Sequence, residues 1–167
     1  LESFLQHGFT SAGYFYDDVN FNKGFPIDEK VVHSIRQQSE AVYAILLYLK
    51  YEKSQGRKHA EWENHIKKIL DGFLKLQKKD GNFARKFHDD GSDIDASGGS
   101  TPSATSALVM GYRYFGKKQY LEAARRTIDY LEKNIISKSD YFSSTLDANC
   151  EDKEAAISAV TANYYMA

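Results

Sequence analysis

The chain has 167 residues, of which 42% are hydrophobic, so it can bury one core and needs no second domain. Its 22 basic and 23 acidic residues leave a net charge of -1, which argues against a nucleic-acid or anionic-membrane partner. The single cysteine, Cys150, excludes an internal disulfide and a thiolate metal site. No apolar run approaches the roughly 20 residues of a membrane span, so we expect a soluble protein.

Residues 1–30 are rich in aromatic side chains and are expected to form a loop that leads into the first helix. The chain begins at Leu1 without an initiator methionine or an apolar leader, and it stops at Ala167 within a helical pattern. We therefore expect residues 1–167 to be a single, partial domain from a longer chain.

The first helical segment, from about Val31 to Lys53, is apolar around nearly its whole circumference, which predicts a helix buried on several sides. After the polar residues 54–58, apolar side chains recur three or four positions apart, with charged residues between them. They are Trp62, Ile66, Ile69, Leu70, Phe73 and Leu76. This spacing predicts an amphipathic helix with one solvent-exposed face.

The same alternation then repeats along the chain. Residues 103–115 are again apolar nearly all round, a turn follows at 116–118, and residues 120–135 carry a second amphipathic pattern. A third helix of the buried type begins near Glu151. We predict an all-α fold of about two and a half helical hairpins, the arrangement of an α/α toroid that resembles an (α/α)6 barrel. The remaining hairpins or another chain are expected to cover its open flanks.

Connections from an amphipathic to a buried helix are long, whereas those in the opposite direction are short. In an up-and-down array all connections of one kind lie at one end, so residues 7–28, 79–101 and 137–149 are expected to share a face. These loops carry acids and aromatic rings. Glycoside hydrolysis requires two carboxylates, one as acid and one as base or nucleophile, beside rings on which sugars stack.

The candidate catalytic acids are Asp93, Asp95, Asp147 and Glu151. The candidate substrate-binding residues are Tyr14, Tyr16 and Phe87 as walls of the cleft, together with His88 and Asp152. Separations of about 5 to 5.5 Å between two acids would predict retention of configuration, and about 6.5 to 9.5 Å inversion.

Each acid also has a structural interpretation. Glu151 and Asp152 suit the first turn of a helix, where Asn149 and Asp152 resemble a capping box. Asp93 and Asp95 are also typical of solvated turns. Thr101 before Pro102 predicts an N-cap with proline at the first helical position.

Metal and nucleotide sites are not indicated. Gly91 and Ser100 occupy ligand positions of a calcium-type loop, where Ser100 replaces the expected bidentate glutamate. The five histidines are too scattered for a zinc motif, and no phosphate-binding glycine motif is present. We therefore predict no metal and no cofactor.

Two motifs carry a resemblance to a known family. Residues 77–83 read Gln-Lys-Lys-Asp-Gly-Asn-Phe after an amphipathic helix, and residues 144–152 read Ser-Thr-Leu-Asp-Ala-Asn-Cys-Glu-Asp before a buried one. With the helix alternation, the chain from about His33 onward resembles the six-hairpin glycosidase superfamily of α/α toroids. The first motif is also similar to the repeat turn of terpene cyclases and prenyltransferase subunits.

The resemblance implies an acidic, aromatic cleft at the end where the inner helices begin, and a carbohydrate substrate. It also implies a bacterial polysaccharide-degrading setting, in which export to the periplasm or exterior is common. We therefore expect a glycoside hydrolase, with a polysaccharide lyase as a variant of the same chemistry. Two alternatives stay open, a non-catalytic hairpin scaffold that binds glycan or protein, and a toroid isomerase or cyclase.

Overall fold

The computed structural model describes residues 7–17, 31–97, 100–142, 150–151 and 153–167. Across these ranges the chain is mostly helical, with five α-helices, a 3-10 helix and three short strands. The helices are α1 (Ile35–Ser54), α2 (Ala60–Leu76), α3 (Ser103–Phe115), α4 (Lys118–Asn134) and α5 (Lys153–Met166). The strands are β1 (Val32–Ser34), β2 (Lys86–His88) and β3 (Asp93–Asp95), and the 3-10 helix is Ile136–Lys138.

The helices form two layers, as the alternation of buried and amphipathic segments predicts. Helices α1 and α5 both pack against α3, whereas α2 contacts α1 and α3, and α4 contacts α3 and α5. We call α1, α3 and α5 the inner helices and α2 and α4 the outer helices. The predicted helical character is thus confirmed. None of the described helices is both long and apolar enough to cross a bilayer.

The core lies between the two layers. Helix α2 buries Ile66, Ile69, Leu70 and Phe73 at the predicted three- and four-residue spacing, while its charged residues remain on the outer face. Each such side chain contributes about 1.5–3 kcal/mol when fully buried. Gly111 allows the close approach of α2 and α3, because a Cβ there would lie 2.7 Å from Cδ1 of Leu70.

A small antiparallel sheet was not predicted from the sequence. Its order is β1-β2-β3, with Val32 opposite His88 and a register shift between Lys86 and Phe87. Strands of three residues are too short to display an alternating pattern, which explains why this sheet was missed. The sheet holds residues 86–95 against the chain that enters α1.

The predicted cap of α3 is wrong. Helix α3 starts at Ser103, with Pro102 at the N-cap position. The Thr101 hydroxyl instead donates to Oδ1 of Asn82 at 2.5 Å and accepts the Phe83 N–H at 3.1 Å. Thr101 therefore stabilises the turn after α2 rather than the beginning of α3. The predicted turn after α3 is confirmed, with Gly116 in the left-handed conformation at φ 71.

Candidate functional site

The described parts of the three long connections meet at one end of the helices, as the connection lengths predict. Oδ1 of Asp89, in the turn after β2, accepts the Thr10 hydroxyl of the first connection at 2.5 Å. The Phe142 ring of the third connection packs 5.1 Å from the guanidinium carbon of Arg85 in the second. The second connection therefore joins the other two.

The centre of this end is a buried histidine between two carboxylates. His33, on β1, has no exposed side-chain surface, and its Nε2 lies 2.9 Å from Oδ1 of Asp89. Its Nδ1 lies 3.8 Å from Oδ1 of Asp17, which is beyond hydrogen-bonding distance. Asp17 also accepts the Ser34 N–H and, at 2.5 Å, an amide hydrogen of Gln38. This cluster attaches the first connection to the beginning of α1.

The electrostatics of the cluster favour a charged pair. Burial alone lowers the pKa of His33, but the Asp17 and Asp89 carboxylates outweigh it and the pKa is raised above its ordinary value of 6.5. For Asp89, burial raises the pKa, but the hydrogen bonds from Thr10 and His33 outweigh this and lower it below 3.8. The imidazolium and the carboxylate thus stabilise each other, which is the chemistry of a structural ion pair.

The two predicted acids on β3 both lie in ion pairs. Asp95 accepts two hydrogen bonds from Arg85, at 2.8 Å from Nε and 2.5 Å from Nη2. Because the Arg85 side chain is only 2% exposed, Asp95 compensates a buried charge. Asp93 is 40% exposed at its side chain and pairs with Nζ of Lys78 at 2.6 Å. In this structure both acids have structural partners.

The predicted cleft walls are largely in the core. Phe87 is 1% exposed and Tyr14 9% exposed, and their ring centroids lie 5.2 Å apart. Neither ring presents an open face on which a sugar could stack. Tyr16 is half-buried, with its N–H bonded to the Gly8 carbonyl at 2.9 Å. His88 is half-buried, and its backbone N–H donates to the Ser92 carbonyl at 2.8 Å.

The third connection is described only in part. Glu151 is exposed and forms an isolated backbone bridge with Phe142, which places it near the Arg85 end of the sheet. Asp147 and Asp152 lie outside the described residues. The structure therefore groups Asp93, Asp95 and Glu151 around one end of the helices, in separate interactions.

A cavity of about 260 Å³ lies on the free face of the inner helices, the face that the outer helices do not cover. Its wall combines hydroxyl groups and a carboxylate, from Glu40, Tyr43, Ser103, Ser106, Ser158, Thr161 and Tyr165. The first halves of α1 and α3 line it together, so these helices run in the same direction. Across the cavity the hydroxyl groups of Tyr43 and Tyr165 share a hydrogen bond. Burial and Tyr43 raise the pKa of Tyr165 to about 12.

One arginine connects two carboxylates beside this cavity. Arg36 Nε donates to Oε1 of Glu40 at 2.8 Å, and Nη1 donates to Oε2 of Glu154 on α5 at 2.6 Å. The side chains of Glu40 and Glu154 are 59% and 47% exposed, so both remain accessible to a ligand. The cavity thus has hydroxyl groups along its wall and two carboxylates within reach of one guanidinium.

These residues were not predicted from the sequence, because the inner helices are apolar around most of their circumference. A signal was present: Arg36, Glu40 and Tyr43 recur at the spacing of one helix face, and so do Ser103 and Ser106. A polar stripe on an otherwise apolar helix indicates a face that the core does not use.

Comparison with protein-family models, curated proteins and solved structures finds no match for the chain. Within the described residues, no group of three His, Cys, Asp or Glu side chains is arranged to hold a metal ion.

Proposed function

We propose that the chain is part of a carbohydrate-active α/α toroid, and that it acts as a glycoside hydrolase on a polysaccharide or oligosaccharide. The observation that carries this proposal is the hydroxyl-lined cavity on the free face of the inner helices, with Glu40 on its wall. Hydroxyl groups both donate and accept hydrogen bonds, as sugar hydroxyls do, and a concave site with a few polar groups is the usual form of a small-molecule site.

The toroid part of the proposal is supported by the open flank of α5. Ile157, Val160 and Tyr164 are 60%, 71% and 78% exposed and lie along one helix face. An apolar stripe of this kind calls for a covering element, and a further hairpin of the ring or another chain would supply it. In the completed ring the inner helices would surround the cavity and deepen it into a cleft.

The hydrolase part is supported by the two carboxylates at the cavity. Glu40 lines it directly, and Glu154 reaches the same arginine from the opposite helix. Glycoside hydrolysis uses two carboxyl groups on either side of the scissile bond. We assign Glu40 as one of these two carboxyl groups. Glu154 and the acids of the long connections, among them Asp147 and Glu151, are candidates for the second group.

A non-catalytic glycan-binding scaffold is the second candidate, and Arg36 favours it. The guanidinium forms ion pairs with both Glu40 and Glu154. A general acid or base, by contrast, needs a carboxyl group that is free to exchange a proton. A scaffold would use the hydroxyl groups of the cavity for recognition and the ion pairs for rigidity.

The deciding experiment measures reducing-sugar release and glycan binding on one panel of plant and host polysaccharides. The variants are Glu40→Gln, Asp147→Asn and Glu151→Gln, and the matched control is Glu122→Gln, an exposed acid on the outer helix α4. A hydrolase that uses Glu40 loses release in Glu40→Gln by at least about 100-fold. The same variant keeps its binding, and Glu122→Gln behaves as the wild type.

The other outcomes separate the candidates. Binding without release by the wild type, unchanged in Glu40→Gln, supports the scaffold. Release that survives in Glu40→Gln and is lost in Asp147→Asn or Glu151→Gln moves the catalytic acid to the third connection. A wild type that neither binds nor cleaves any glycan overturns the proposal.

A further inference from the structure

A second cavity, of about 150 Å³, lies between the last turns of α1 and α3. It is lined by Lys50 and Lys53 of α1 and by Met110, Arg113 and Tyr114 of α3. We propose that this cavity is a binding site for an anionic oxygen group, a carboxylate or a sulfate. We name it the cationic cavity.

Charge is the first argument. Lys50, Lys53 and Arg113 are positively charged and exposed, and the lining includes no acidic residue. The described residues form ten ion pairs, and none of these pairs involves Lys50, Lys53 or Arg113. Three cations that line one small cavity repel one another, and a bound anion would relieve that repulsion.

The helix ends do not account for all of this charge. Lys53 and Arg113 lie in the last turns of their helices, where basic residues complement the helix dipole. Each helix C-terminus carries about half of a negative elementary charge, so the two together amount to about one. Lys50 is a turn earlier on α1. Among the lining residues a surplus of about two positive charges therefore remains.

Aromatic rings position two of the cations. Nζ of Lys53 lies 5.3 Å from the centroid of the Tyr114 ring, and the Tyr114 hydroxyl donates to Glu63 at 2.6 Å. The guanidinium of Arg113 lies 5.9 Å from the centroid of the Tyr165 ring. These cation–π contacts order the side chains before a ligand arrives, which lowers the entropic cost of binding.

The size and composition of the cavity indicate the ligand. A guanidinium and two ammonium groups around a small space match a compact oxyanion, to which they donate charge-assisted hydrogen bonds. The group can be a free inorganic anion or an acidic substituent on a sugar. The proposal does not depend on the function assigned to the hydroxyl-lined cavity.

An NMR titration of the labelled protein tests the site with three probes at constant total ionic strength: sodium sulfate, sodium glucuronate and glucose. Saturable amide shifts around Lys53 and Arg113 are expected with at least one of the two anions and not with glucose. Shifts with sulfate alone identify a free inorganic anion as the ligand, and tighter binding of glucuronate identifies an acidic sugar.

The variants are Lys53→Met, which keeps most of the side-chain stem, and Lys68→Met, an exposed lysine on the outer face of α2. Lys53→Met is expected to weaken anion binding about tenfold, the effect of losing one charge-assisted hydrogen bond, and Lys68→Met to leave it unchanged. The proposal is overturned if neither anion gives saturable shifts, or if Lys68→Met weakens binding as much as Lys53→Met does.

Discussion

Nε2 of His33 lies 2.9 Å from Oδ1 of Asp89, and this half-buried contact joins the strand before α1 to the turn after β2. The two residues are 56 positions apart in the sequence. The contact therefore closes a long loop, and the end of the array where the long connections meet depends on it.

Replacing Asp89 by asparagine should lower the free energy of unfolding by about 2 kcal/mol near pH 6, because a half-buried charge-assisted hydrogen bond is lost. The difference in stability between wild type and Asp89→Asn should become smaller both at high pH and at low pH. The pKa of His33 is raised above 6.5, so its contribution is complete below 6.5 and is lost as the pH rises through the raised pKa. The pKa of Asp89 is lowered below 3.8, so its contribution is present above 3.8 and is lost as the pH falls through the lowered pKa.

Urea denaturation of wild type and Asp89→Asn from pH 3 to pH 9 measures this dependence. Asp129→Asn, at an exposed position on α4, is the control, and its stability relative to the wild type should not show this pH dependence. A difference between wild type and Asp89→Asn that stays constant up to pH 9 would contradict the ion pair.

The two acids of β3 should differ in their contribution to stability. Asp95→Asn leaves the buried Arg85 guanidinium without its carboxylate and should cost about 3 kcal/mol. Asp93→Asn removes an exposed pair with Lys78 and should cost no more than about 1 kcal/mol. Thermal unfolding of both variants measures the two losses of stability. Equal losses would show that groups other than Asp95 compensate the charge of Arg85.

Gly81 should not tolerate alanine. Its φ is +94, and a Cβ there would lie 2.0 Å from the carbonyl oxygen of Arg126 on α4. The left-handed conformation and the clash with backbone should together cost about 3 kcal/mol. Gly56 is the matched control, since its φ is +76 and nothing lies within 4 Å of its Cβ position, so alanine should cost only about 1 kcal/mol there. Chemical denaturation measures both, and similar losses would refute the contact with α4.

Tyr120→Phe should destabilise the protein by about 1.5 kcal/mol. The Tyr120 side chain is fully buried, and its hydroxyl donates to Oδ1 of Asp71 at 2.6 Å. Burial and the Asp71 carboxylate raise the pKa of Tyr120, so this hydroxyl keeps its proton throughout the neutral range. Tyr164→Phe, at a residue 78% exposed, should change the stability by less than about 0.5 kcal/mol. A Tyr120→Phe variant as stable as Tyr164→Phe would show that this hydrogen bond contributes nothing net.

Much of the helical framework could be predicted because it depends on local spacing. The amphipathic patterns of α2 and α4 and the turn at Gly116 were all recognisable, since one apolar face of a helix repeats every three to four residues. The sheet was not recognisable, because strands of three residues are too short to show an alternation of apolar and polar residues. The N-cap assigned to Thr101 failed because its hydroxyl found partners in Asn82 and Phe83, in a different turn.

The candidate site was predicted less completely. The long connections were expected to share an end because successive helices of an up-and-down array run in opposite directions. The Thr10–Asp89 and Arg85–Phe142 contacts confirm this expectation for the described residues. The roles of individual acids did not follow from the direction of the helices. Asp95, for example, pairs with the buried Arg85, and no local spacing in the sequence identifies that partner. Arg36 and Glu40 are four positions apart on α1, a spacing that is visible in the sequence. Their proximity to Glu154 was not visible, because α5 is far away in the sequence.

The sequence by itself determined approximately which segments become helices and which faces of α2 and α4 enter the core, because these properties depend on the periodicity of apolar residues within one segment. Only the tertiary structure decided which charges meet, namely His33 with Asp89 and Arg85 with Asp95. It also decided that Lys50, Lys53 and Arg113 line one cavity. The physical reason is the distance along the chain over which each property is set. Hydrophobic periodicity is a property of neighbouring residues, whereas an ion pair or a cavity depends on how separate elements pack.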